Sequence, residues 1–166
     1  MKHYPPPLPP ARSKPTLRIP RFHAVPLRQR ADGWTPLRQA EFIGHLAETR
    51  SVAEAARRVS MARETAYRLR DRAGAEGFAA AWDVALALVG HAAGRARYVA
   101  ALEAARGALI PHAKVTAAEL EWRIETGIWQ VLMRGGRYRG VRSRPDNSAL
   151  LALLARSDRA EQVDAR

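Results

Sequence analysis

Residues Ser51–Asp71, SVAEAARRVSMARETAYRLRD, decide how this chain folds. Ser51 followed three residues later by Glu54 is a capping box: the hydroxyl accepts from an orphan N–H of the first turn while the carboxylate reaches back to the cap amide. A helix therefore starts at Val52. Val52, Ala55, Ala56 and Val59 share one face of it, with Glu54, Arg57 and Arg58 on the other. Ser60 and Met61 break the pattern, and Met61, Ala66 and Leu69 begin a second apolar set in a new phase. Two short helices crossing over a tight turn fit this better than one. Close crossing needs small residues, which Ala56, Ser60 and Ala66 supply. Between Arg57 and Arg72 six arginines face two acids, Glu64 and Asp71.

This spacing resembles a helix-turn-helix. The resemblance implies that the second helix enters the DNA major groove while the first crosses the backbone. By it, Arg63, Glu64, Thr65, Tyr67 and Arg68 face the groove and Arg70 and Arg72 lie near phosphates, with Arg57 and Arg58 of the first helix adding to the interface. Ala62 stands where a Ser or Thr usually caps the recognition helix, so the cap is weaker or shifts to Ser60. An amphipathic pair of helices with solvated arginines is the plainer alternative, and the joint occurrence of small-residue spacing and arginine excess favours DNA.

Upstream, Thr35-Pro36 opens a supporting helix to about Thr49 as N-cap and first helical residue, with Phe42, Ile43 and Leu46 on its buried face and Leu37 and Ala40 flanking. The expected unit over residues 34–90 is a homeodomain-like, tri-helical helix-turn-helix. Residues 1–33 form a different regime. The first thirty contain eight prolines, seven basic residues and no acid, which predicts an extended, disordered basic arm. Such an arm can track phosphates, solubilise the chain or present PxxP to a partner.

Downstream, Gly74 serves as a stop for the second helix. A long alanine-rich helix is expected from Phe78 to about Leu109, with Gly90 and Gly94 leaving open a kink, a close helix approach or a break. A helix of that length cannot bury its far half on so small a domain, which argues for self-association. Thr116 with Glu119 forms a second capping box before AAELEWRIET, where Leu120, Ile124 and Trp122 are the candidate buried residues. Gly135-Gly136 then joins two strands in a hairpin at about 128–142, pairing Met133 with Tyr138, Val131 with Gly140 and Trp129 with Arg142. Residues 128–145 hold five arginines and no acid, and Arg134, Arg137 and Arg139 are candidate phosphate contacts of a wing. A last helix, capped at Asp146 or Asn147, carries Leu150, Leu151, Leu153 and Leu154, a stripe expected to be intramolecular core. The extension spans 91–157, and 158–166 is expected to fray.

The segment Gly33–Leu86, about a third of the chain, also resembles the N-terminal domain of phage terminase small subunits and related bacterial helix-turn-helix regulators. Trp34-Thr35-Pro36, Ala55-Ala56-Arg57, Thr65-Ala66-Tyr67-Arg68 and Phe78-Ala79-Ala80-Ala81-Trp82 carry the resemblance. It implies a transcription regulator that reads a short palindrome as a dimer, or a packaging recognition subunit that forms a ring and hands DNA to a motor subunit. A nonspecific architectural DNA binder is a third possibility.

The net charge of +12 and pI near 11.3 imply an anionic polymer or surface as partner, nucleic acid before membrane because the charge is grouped on the two short helices and the hairpin. The helix-turn-helix resemblance makes that partner double-stranded DNA. With no cysteine there is no disulfide and no thiolate metal site or nucleophile. No apolar run reaches the ~20 residues of a membrane span, and no secretory signal is evident, so a cytoplasmic, nucleoid-associated homo-oligomer is expected. Five scattered histidines and the neighbouring Glu119, Glu121 and Glu125 compose no catalytic set. Neither an enzyme nor a cofactor is expected.

Overall fold

Thr35 accepts a hydrogen bond from the Arg38 N–H at 3.2 Å and Pro36 takes the first helical position, so helix α1 (Pro36–Thr49) begins where the sequence puts it. The structure is a computed structural model that describes residues 18–28, 30–87 and 92–164. Among them are seven helices and one three-stranded antiparallel sheet, in a mainly helical chain. No helix of the described residues is long and apolar enough to cross a membrane.

Helix α2 (Val52–Arg58) is capped by the Ser51 hydroxyl, which accepts from the Glu54 N–H at 3.3 Å. The capping box is only half made. The Glu54 carboxylate turns instead to Arg57 and Arg58, and the Ser51 N–H donates to Thr49 Oγ1. Met61 N–H donates to Ala56 C=O (2.9 Å) and Ser60 N–H to Arg57 C=O (3.0 Å), a Schellman closure with Ser60 left-handed at φ 57°. Ala62 is the N-cap of helix α3 (Arg63–Arg70) and makes no side-chain cap bond, so the cap is the weaker one and does not shift to Ser60. Ala55, Ala56, Val59, Ala66 and Leu69 are buried where α2 and α3 cross, as the small-residue spacing requires.

The N-terminal segment departs from the expected disordered arm. Residues 1–17 lie outside the described residues, but Arg18–Arg28 dock on the body and bury Ile19, Phe22, Ala24 and Val25. Strand β1 (Phe22–His23) is held to two residues because Pro20 and Pro26 bracket it and have no N–H to donate. Buried Gln39 on α1 fixes the segment: its Oε1 accepts from Val25 N–H (2.7 Å) and its Nε2 donates to Val25 C=O (3.2 Å) and Trp34 C=O (3.1 Å). A buried amide satisfied this way replaces the ladder that proline denies.

The expected single helix from Phe78 to Leu109 is two helices, α4 (Glu76–Leu86) and α5 (Ala92–Leu109). Ala87 is already extended, and Gly90 lies outside the described residues. The pair is antiparallel, since a side chain at Gly77 would begin 3.6 Å from Ala108 Cβ. Folding back buries Ala101 and Ala105 and packs Tyr98 and Leu102 on the core, which a straight helix would leave in water. The argument for self-association from an overhanging helix therefore falls. The core runs through the expected boundary at residue 90: Phe22, Phe42, Phe78 and Trp82 form its aromatic centre, continuous with Ala101 and Val131.

Helix α6 (Ala117–Thr126) is followed by strands β2 (Ile128–Arg134) and β3 (Arg137–Arg144), giving the order β1-β2-β3. Gly135 and Gly136 (φ 59° and 75°) make the primed turn. Met133 pairs with Tyr138 as expected. A bulge then shifts the register, so that Val131 meets Val141 rather than Gly140, and Trp129 meets Ser143 rather than Arg142. The physical gain is clear: one extra residue in β3 puts Val141 on the apolar face and turns Arg142 away from it. That face lies on α1, where the Tyr138 ring seats on Gly44 and 4.7 Å from the His45 ring.

Helix α7 (Asn147–Asp164) continues past Arg156 through the segment expected to fray. Asp146 is its N-cap, accepting from Ser148 and Ala149 N–H at 3.1 Å. Helices α6 and α7 share a small second core of Val115, Leu120 and Ala149 flanked by Ile124, Ala152 and Leu153. Of the leucine stripe only Leu153 joins it, while Leu150, Leu151 and Leu154 are exposed, contrary to the expected buried stripe.

Candidate nucleic-acid interface

At 100° per residue, Arg63, Glu64, Tyr67 and Arg68 fall on one arc of α3, and Thr65, Ala66, Leu69 and Arg70 on the other. The structure follows this division. The first four are exposed; Ala66 and Leu69 are buried; Thr65 and Arg70 are half-buried at the borders. Arg72, just past the helix, is exposed.

Both border residues are spent on holding the helix. Thr65 Oγ1 donates to Ala62 C=O (2.7 Å) and accepts from Trp34 Nε1 (3.1 Å), whose ring meets Phe42 edge-on at 5.4 Å. Arg70 pairs with Asp83 at 2.7 Å and lies over the Trp82 ring at 5.4 Å. Thr65 and Arg70, expected to contact DNA, thus position α3 from its two sides. Tyr67 also leans on Trp82, 5.4 Å between centroids, and keeps 44% of its surface.

Arg57 and Arg58 are exposed but compensated. Both bond Glu54, and Arg58 also reaches Glu48 at 2.7 Å. Those guanidinium hydrogen bonds hold the Glu54 carboxyl down to about 2. Two arginines and two glutamates sum to no net charge, so α2 offers phosphate less than its sequence suggests. Arg63 is 3.3 Å from Glu64, a largely exposed neighbour pair of little strength. The Glu64 carboxyl is lowered, first by its own backbone N–H and also by Arg63.

Arg134, Arg137 and Arg139 are exposed on the hairpin, Arg134 directly across from Arg137. They form a patch apart from the α3 arc: α3 packs on α2 and α4, whereas the hairpin packs on α1. Arg58 and the hairpin's Tyr138 both border His45, whose imidazole is lowered by burial and then by Arg58.

Three features escaped the sequence reading. Gln39 gave no signal beyond being a polar residue beside an apolar stripe. His23 Nε2 lies 2.6 Å from Asp146 Oδ2, a buried pair between β1 and the cap of α7 separated by 123 residues. Burial, followed by the nearby Arg123 charge, lowers the His23 pKa, so the neutral ring donates to the carboxylate. Arg18 and Arg21, counted only as part of an arm, stand beside the sheet.

Among the described residues no group of three His, Asp or Glu side chains is placed to hold a metal ion. No protein-family profile, curated protein or solved structure matches this chain.

Proposed function

We propose that this chain binds double-stranded DNA in a sequence-directed way through α3, as a bacterial transcription regulator. In this reading α1, α2 and α3 act as a homeodomain-like tri-helical unit, with α3 in the major groove. One observation carries it: α3 buries Ala66 and Leu69 and is braced at both borders, by Trp34 on Thr65 and by Asp83 and Trp82 on Arg70, so that Arg63, Tyr67, Arg68 and Glu64 project from a fixed helix. Arginine reads guanine bidentately and Glu accepts from cytosine, so this face has the donors and acceptors of direct readout. Arg72 supplies a phosphate contact beside it.

A regulator of this kind works as a dimer, setting two α3 helices about 34 Å apart on a palindrome. A packaging subunit needs a ring, which the expected long helix would build, and that helix is instead α4 and α5 folded back on each other. That leaves the regulator the better supported of the two. DNA binding would place the protein on the nucleoid.

The test is fluorescence anisotropy with a duplex chosen from a random pool. Arg63→Ala or Arg68→Ala should cost about 1–3 kcal/mol on the preferred site and less on unrelated duplexes. Equal loss on every sequence would reduce the residue to a phosphate contact, and no loss would remove α3 from the interface.

A further inference from the structure

We infer that the outer face of the three-stranded sheet is a second phosphate-binding surface, which grips the backbone of double-stranded DNA through a patch separate from the α3 contact. The inference rests on the DNA-binding reading and extends it to residues outside the helices.

Alternation along β2 and β3 sends Trp129, Val131, Met133, Tyr138 and Val141 toward α1 and the core. It sends Gln130, Leu132, Arg134, Arg137, Arg142 and Arg144 to the opposite side. The bulge is what places Arg142 there, opposite Gln130. Phe22 of β1 is buried opposite Trp129, so Arg21, the residue before it, turns outward next to Gln130. Along the edge of β2, Arg18 and Arg21 also line a groove of about 640 Å³ that runs between Gln130–Met133 and Leu102 of α5.

The charge on this face is uncompensated. Among the described residues, no ion pair involves Arg18, Arg21, Arg134, Arg137, Arg142 or Arg144, whereas Arg57, Arg58, Arg63, Arg70, Arg106 and Arg123 all have acidic partners. Arg134 and Arg137 stand directly opposite each other, a like-charge pairing that weakens a hairpin unless an anion lies between. Arg142 and Arg144 share a side two residues apart, about 6.8 Å in an extended strand, a spacing of the order of that between phosphates along one strand.

The chemistry of the face selects among polyanions. Its guanidinium forks suit phosphate oxygens. Its aromatic side chains, Trp129 and Tyr138, point away, so no ring is offered to stack unpaired bases, which argues for duplex over single strand. Leu132, the apolar side chain on this face, is only half-exposed, and none of the large exposed apolar side chains lies there, so the face offers little to insert into a bilayer.

The experiment is a salt titration of the full chain on a duplex of about 40 base pairs. Each lost phosphate contact lowers the slope of log K against log salt by about 0.9, so Arg21→Ala/Arg142→Ala should lower it by about two. Arg21→Lys/Arg142→Lys should keep the slope. Both positions are exposed, and circular dichroism verifies that the fold is retained. An unchanged slope in the double alanine variant overturns the inference. Arg68→Ala, titrated alongside, separates the two readings. If it alone loses binding, α3 stands without the sheet. If only the Arg21/Arg142 variant loses binding, the sheet surface stands and the α3 reading fails.

Discussion

Gly44 sits in the middle of α1, where alanine would ordinarily be favoured by about 1 kcal/mol. Here a Cβ would run into the Tyr138 ring, whose phenol burial pushes up to about 12. Gly44→Ala should therefore destabilise the protein by about 1–3 kcal/mol, the range for overpacking, read as a lower denaturation midpoint. Ser60 reverses the argument. It occupies a left-handed conformation that glycine adopts freely, and its side chain makes no cap bond. Ser60→Gly should raise stability by about 0.5–1 kcal/mol, with a higher melting temperature as the check. At this scale the sequence was legible where spacing speaks, as with Ala56 and Ala66, and illegible where one residue's role depends on a distant partner. Nothing near residue 44 announces Tyr138, and nothing near Gln39 announces Val25.

The elements divide the same way. Helices α1, α2 and α3, the α6 cap and the Gly-Gly hairpin were readable because their signals are local: Thr35-Pro36, Ser51, Thr116 and two adjacent glycines. The β1 segment was hidden by its composition. Prolines and arginines dominate residues 1–30, and the four apolar residues that anchor it have no periodicity. The break between α4 and α5 was open in the sequence because only packing decides it. The bulge depends on one residue's choice between Gly140 and Val141 on the apolar face. A consequence of β1 docking is acid sensitivity. His23 is lowered in the folded state, so the unfolded chain binds more protons below the ordinary value near 6.5, and stability falls as pH drops through that region. Above it the contribution is complete. His23→Gln should flatten this part of the stability profile between pH 7 and 5, measured by denaturant unfolding at each pH. A profile as steep as that of the wild type would assign the acid sensitivity to other groups.

The whole molecule is built around one main core and a small second one between α6 and α7, with most of its charge outside them. Fully burying Phe22 and Val25 contributes about 1.5–3 kcal/mol each, and both come from the N-terminal segment. Deleting residues 1–28 should therefore abolish cooperative unfolding or lower the midpoint sharply. Deleting residues 1–17 leaves these anchors in place and should keep the midpoint, while removing Lys2, Arg12 and Lys14. Among the described residues, the arginines sort into those held by acids, such as Arg57, Arg58, Arg70, Arg106 and Arg123, and those left open, Arg68 on α3 and Arg21, Arg134, Arg137, Arg142 and Arg144 on the sheet. That distribution, more than the total of +12, gives the DNA reading its physical content. The measurement that reaches it most directly is amide NMR of the labelled full chain, titrated with a DNA duplex. The account predicts that the largest shift changes fall on Arg63, Glu64, Tyr67 and Arg68, with a second set on the outer strands of the sheet. Changes confined to α7 and its exposed leucines, or none at all, would contradict it.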